Sequence, residues 1–276
     1  MGSHRFLRVV IAAILACGSF AGIGAEEKKA DPDIAKPAKM PFYLLLGQSN
    51  MDGRGKYKEG VDSFPKGKVF ILDDKDKFKE LQPYPFINHY STIRKDAAQI
   101  SPGYMFGKEL LKADPNTAFG YVSNCRGGSS INEWKKGTRY FDEAVRRTKA
   151  AMKEGELKAI LWHQGETDYR EIVMKHKGEE KKYLEEYFEK LRQFIKDLRS
   201  ELGAENVTFI AGQVNSGFAP FNERILALPS EMDNVYVVKT DGLKTIDDSH
   251  FDREGVDELG RRYAEKWMEV SALNRK

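Results

Sequence analysis

MPFYLLLGQSNMDG, residues 40–53, is the stretch on which the reading of this chain turns. Phe42 to Leu46 is an unbroken apolar run, the mark of a strand buried on both faces of a parallel sheet. Gly47 lets the chain turn sharply behind it, so Ser49 stands at the sheet's carboxyl edge. Serine is a weak nucleophile unless a base lies within hydrogen-bond reach. The stretch is therefore either the start of a nucleophilic site or a turn with a capping serine.

Outward from it, apolar runs alternate with helix-periodic segments. Thr117 to Ser123, Lys158 to Trp162, Asn206 to Val214 and Asn234 to Lys239 read as further strands. Helices are expected over Pro102 to Ala113, Tyr140 to Glu154, Glu179 to Leu202, Asn222 to Leu228 and 253–270. The clearest carries Leu184, Phe188, Leu191, Ile195, Leu198 and Leu202 on one face. Five strands interleaved with helices predict an α/β fold with a parallel sheet covered on both sides. Ligands of such sheets sit beyond the carboxyl ends of the strands.

Four residue clusters follow strands. Besides Ser49, the turn at Arg126, Gly127 and Gly128 can present backbone N–H groups to an oxyanion or a phosphate, but it lacks a P-loop lysine. His163, Gln164, Glu166 and Asp168 crowd one turn, in a spacing that matches no familiar metal-ligand set, so no metal is expected. Asp247 precedes His250 by three residues, which suits a carboxylate that orients an imidazole, or a helix cap. No G-x-S-x-G occurs, which counts against an α/β-hydrolase elbow. Asn50 is expected to fix the turn through local hydrogen bonds. Cys125 reads as a small buried residue rather than a nucleophile.

The ends and the balance of charge bound the rest. Arg5 and Arg8 precede an uncharged stretch to Ala25, as in an export signal with cleavage at 1–25. Cys17 after Ile14-Leu15-Ala16 offers lipidation as the alternative. Residues 26–39 read as a flexible leader and 40–276 as one catalytic domain, exported to a periplasmic or extracellular location. Stable membrane association is expected only if Cys17 is lipidated. The full chain of 276 residues carries 45 basic and 42 acidic residues, +3. Without Arg5 and Arg8 it carries 43 against 42, or +1, which gives no case for nucleic acid.

GQSNM at 47–51, RGGSSINEW at 126–134, LWHQGETD at 161–168 and DDSHF at 247–251 together resemble the SGNH hydrolases. More narrowly, they resemble the sialate O-acetylesterase and acetylxylan esterase branch, carbohydrate esterase family 6. The resemblance implies a three-layer, flavodoxin-like α/β/α sandwich that removes acetyl groups from sugars without cofactor or metal. It implies Ser49 as nucleophile, His250 as base and Asp247 as its partner, with an oxyanion hole of the Ser49 N–H, a glycine N–H (Gly128) and the Gln164 amide. Glu166 is left as a supporting carboxylate or an alternative third member. The aromatic residues between Arg54 and Ile100 (Tyr57, Phe64, Tyr84, Phe86, His89, Tyr90) and the insert from Asp168 to Glu180 with His176 either rim a sugar site or are ordinary loop.

Overall fold

The computed structural model describes residues 39–58, 60–81 and 99–273. The expected signal, most of the leader, and Tyr84, Phe86, His89 and Tyr90 lie outside these residues. The elements run β1 (Met40–Gly47), α1 (Ser49–Asp52), β2 (Val69–Leu72), β3 (Phe78–Glu80), α2 (Pro102–Ala113), β4 (Phe119–Cys125), α3 (Arg139–Ala151) and β5 (Gly155–His163). They continue with α4 (Glu166–Lys175), α5 (Glu180–Leu202), β6 (Thr208–Gly212), α6 (Ala219–Ile225), α7 (Leu228–Glu231), β7 (Val235–Val238) and α8 (Arg253–Leu273).

Among the described residues the sheet has seven strands, in the order β3-β2-β4-β1-β5-β6-β7, and of their pairings only β2–β3 is antiparallel. This corrects the expected five. The two added strands lie between Arg54 and Ile100, where Val69–Leu72 is a short apolar run and Phe78–Glu80 a three-residue edge without a pattern of its own. The insert after Asp168 is likewise largely helix, as α4.

Strand alternation splits the interior into two cores. Phe42, Leu44 and Leu46 face one, with Ile160 and Trp162 of β5, under α3 and α5. Tyr43 and Leu45 face the other, with Ala159 and Leu161, under α2 and α8. The result is a three-layer α/β/α sandwich with β1 at its centre. Tyr57 and Phe64 pack against the second core, which makes these two part of the fold rather than a sugar face. Cys125 is fully buried in the same core, where its thiol donates to the Leu45 carbonyl at 3.5 Å.

β1 has β4 on one side and β5 on the other, so the chain reverses its direction across the sheet there. That switch point opens a crevice at the carboxyl ends of β1, β4 and β5. Among the described residues no helix is long and apolar enough to cross a membrane.

Candidate active site

Ser49 is the first residue of α1, directly at the crevice, and is almost wholly buried. Arg126 N–H donates to the Gly47 carbonyl at 2.9 Å, which brings the turn after β4 against the turn after β1. Gly127 lies over the nucleophile: a Cβ built on it would sit 3.6 Å from Ser49 Cβ. Gly128 takes φ +73° and has open space where a side chain would be.

His250 reaches this point from the far edge of the sheet. The loop that carries it closes on itself through an antiparallel bridge between Thr245 and Phe251 and through Ile246 N–H to the His250 carbonyl at 2.9 Å. Phe251, fully buried, packs edge-on against His163. The His250 ring then lies with Nε2 2.9 Å from Ser49 Oγ and Nδ1 2.7 Å from Asp247 Oδ2. Asp247 Oδ1 also accepts the backbone N–H groups of Ser249 at 2.8 Å and His250 at 2.7 Å. Partial desolvation pushes the Asp247 carboxyl up, but hydrogen bonds from the His250 ring and these two N–H groups outweigh it and hold it at about 2. Asp247 is thus an anion throughout the neutral range.

Asn50 does more than fix its own turn. Its Nδ2 donates to the Ser249 carbonyl at 2.9 Å, and its Oδ1 accepts the Phe251 N–H at 3.2 Å. These two bonds clasp the backbone on either side of His250. The same Nδ2 donates to Glu166 Oε1 at 2.6 Å. The expected local bonds are therefore replaced by contacts to residues 116 to 201 positions away, and no spacing in the sequence signals them.

Glu166 does not touch His250. It is buried against Asn50 and the His163 ring, whose Nε2 lies 3.4 Å away. Burial raises its carboxyl, yet His163 and Asn50 outweigh this and hold it below the usual carboxylate range. Asp247 is the carboxylate against His250, and Glu166 supports Asn50.

Gln164 is turned away from the crevice. It is fully buried, and its Nε2 donates to the Ser129 carbonyl at 2.9 Å, to Gln48 Oε1 at 3.2 Å and to Asp168. Its Oε1 accepts Tyr187 O–H at 2.8 Å. An amide with both protons committed inward has none left for an oxyanion, which corrects the expectation for this residue.

Asp168 completes the network by accepting Ile131 N–H at 3.0 Å. Burial pushes its carboxyl up to about 6, against the hydrogen bonds from Gln164 and Ile131. Its unfolded value is near 3.8. Between about pH 4 and 6 the folded state keeps this proton while the unfolded state has lost it, so stability falls as pH rises through that window. The shift corresponds to roughly 2–3 kcal/mol. Asp247 acts oppositely and lower, since its contribution is lost as pH falls from about 4 towards 2. Urea unfolding of Asp168→Asn at pH 4.5 and 7 should show this decline removed. An unchanged slope would assign it to other groups.

Beside Asp247 lies an open cleft of about 860 Å³, bounded by Tyr169, Arg170 and Met174 of α4, by Asn215 and Phe218, and by Asp248. The segment after Asp168 thus does form a rim, through α4, while His176 stacks on Tyr183 instead.

A mostly parallel sheet between two helical layers, with serine, histidine and aspartate gathered at its carboxyl edge, is the architecture of the SGNH hydrolases. Within that class the chain belongs to the family described as carbohydrate esterase, sialic acid-specific acetylesterase, whose profile matches residues 39–269. A protein of Arabidopsis thaliana described as a probable carbohydrate esterase is 28% identical over 257 residues, covering 86% of this chain and 94% of that one. Its crystal structure superposes with a TM-score of 0.70 at 25% identity, over 84% of this chain and 98% of that one. The crystal structure of NanS shares the fold, with a TM-score of 0.57 at 16% identity over 85% and 99% of the two chains. So does a carbohydrate acetylesterase of Xanthomonas citri, at 0.54 and 18%, over 81% of this chain and 55% of that one.

Proposed function

We propose that this carbohydrate esterase is a serine hydrolase that removes O-acetyl groups from a sugar through an acetyl-enzyme intermediate. The observation that carries the reading is the unbroken hydrogen-bonded run from Asp247 through His250 to Ser49. Membership of an acetylesterase family supports acetyl as the acyl group.

In the proposed reaction Ser49 Oγ gives its proton to His250 Nε2 and attacks the acetyl carbonyl carbon. Anionic Asp247 holds the Nδ1–H side of the ring and stabilises the imidazolium that forms. The oxyanion meets the Ser49 N–H and a backbone N–H of the Gly127–Gly128 turn. Collapse breaks the bond to the sugar oxygen, which takes the proton from His250 and leaves as the hydroxyl. Water then attacks the acetyl-enzyme, gives a proton to His250, and releases acetate as Ser49 recovers its proton. The cleft beside Asp247 falls in the range that holds a small ligand, ~300–1,000 Å³, and offers room for the sugar.

Rapid mixing with p-nitrophenyl acetate tests this. A burst of nitrophenol matching the enzyme concentration is expected, with an acetyl group on the Ser49 peptide after acid quenching. Full turnover by Ser49→Ala would refute the nucleophile.

A further inference from the structure

The cleft beside Asp247 does not stand alone. A second cavity, of about 810 Å³, adjoins it, and Tyr169 and Val173 of α4 line both. The opposite bank is also continuous. Asn215 and Phe218 border the first cavity, while Pro220 of α6 and Ala227 just beyond it border the second. The two cavities therefore form one trough between α4 and the segment 215–227, leading away from Asp247. Together they exceed the ~300–1,000 Å³ of a small-ligand site.

The trough is held in shape by its own hydrogen bonds. Asn215 Nδ2 donates to the Asp248 carbonyl at 2.6 Å, which ties one bank to the His250 loop. Asn222 Nδ2 donates to the Val214 and Asn215 carbonyls at 3.0 and 2.9 Å, and Arg224 Nε donates to Glu185 of α5 at 2.7 Å. The walls suit the C–H faces of sugar rings. Tyr169 and Phe218 meet edge-on at 5.6 Å, and Val173 stands 46% exposed beside them. Charge narrows the class further. Asp247 and Asp248 outnumber Arg170 in the first cavity, and Glu180, Glu185 and Glu223 outnumber Lys181 and Arg224 in the second. Arg224 is moreover already paired with Glu185 and Glu231. A polyanionic chain meets net repulsion along such a trough.

We propose that the second cavity is a distal subsite for an uncharged glycan chain, so that the substrate is a polysaccharide held across several units with its acetylated unit beside Asp247. This rests on the carbohydrate O-acetylesterase reading and deepens it. Contacts remote from the ester then add to transition-state binding, and they do so only when the chain is long enough to reach them.

Length dependence is the readout. With acetylated xylo-oligosaccharides, kcat/KM is expected to rise at least ~10-fold from the single sugar to the tetrasaccharide. Acetylated oligogalacturonides of the same lengths, the charged arm, should show no such rise. Ala227→Trp fills the second cavity alone and should bring the ratio of tetrasaccharide to single sugar close to one. Titration of Ser49→Ala with the unacetylated tetrasaccharides reads binding without chemistry, and xylotetraose should bind where xylose does not. A flat xylo-oligosaccharide series, or no binding of xylotetraose to Ser49→Ala, overturns the subsite even if Ser49→Ala is inactive. An equal or larger rise with the galacturonides overturns the uncharged chain. A rise that survives Ala227→Trp at an unchanged melting temperature overturns the assignment to this cavity. Full activity of Ser49→Ala beside a length-dependent rate overturns the serine mechanism and leaves the subsite standing.

Discussion

His250→Ala is expected to lower kcat on an acetyl ester by ~10⁴–10⁶-fold, because the ring is the one base within reach of Ser49 Oγ among the described residues. The double variant with Ser49→Ala should be no worse than either single variant, since the two groups act as a unit. Asp247→Asn removes the anion but keeps a polar partner for Nδ1. Its loss should be smaller, ~10²–10⁴-fold, because half of the Asp247 side chain is exposed and water can take its place. Glu166→Gln is the informative contrast. It meets Asn50 and His163 rather than His250, so kcat should change by less than about tenfold, or ~1.4 kcal/mol. Steady-state kinetics on the four single variants and the double variant would check the order. An equal cost for Glu166→Gln and Asp247→Asn would mean that the carboxylates are wrongly apportioned.

Gly47→Ala should be the most damaging conservative change to the fold. Gly47 takes φ +135°, and a Cβ there would lie 2.1 Å from the His163 carbonyl oxygen and 2.9 Å from its nitrogen. That oxygen accepts the Gln48 N–H at 2.8 Å, and Gly47 pairs with both Cys125 and His163 in the sheet. The overlap is with backbone, which cannot rotate aside. Relief would need β1 and β5 to part where the site is built. The expected cost is at least ~4 kcal/mol. Gly137→Ala is the control: its φ is +85°, but no atom lies within 4 Å of the added carbon, so only the left-handed strain of ~1–2 kcal/mol is paid. Urea unfolding of the two variants separates the terms. Equal losses would show that the contact relaxes.

How much of this was legible beforehand varies from residue to residue. Phe42–Leu46 announces a central strand because burial on both faces needs apolar side chains at every position. Val69–Leu72 carried a weaker form of the same signal, masked by the charged loop around it. Phe78–Glu80 carried none, since a three-residue edge strand depends on its neighbour. Ser49, Asp247 and His250 stood out because their types and post-strand positions match one chemistry. Gln164 stood out equally, yet its side chain faces inward.

The sequence by itself determined the five parallel strands that carry the site, that they alternate with helices, and which residues follow their carboxyl ends. These are properties of neighbouring residues, read from periodicity and turn chemistry. Only the tertiary structure decided the strand order that sets β1 between β4 and β5, the clasp of Asn50 on the His250 loop, and the directions of the Gln48 and Gln164 amides. Each depends on partners far away along the chain. An amide's direction follows from which donors and acceptors surround it after folding, and no local pattern encodes that.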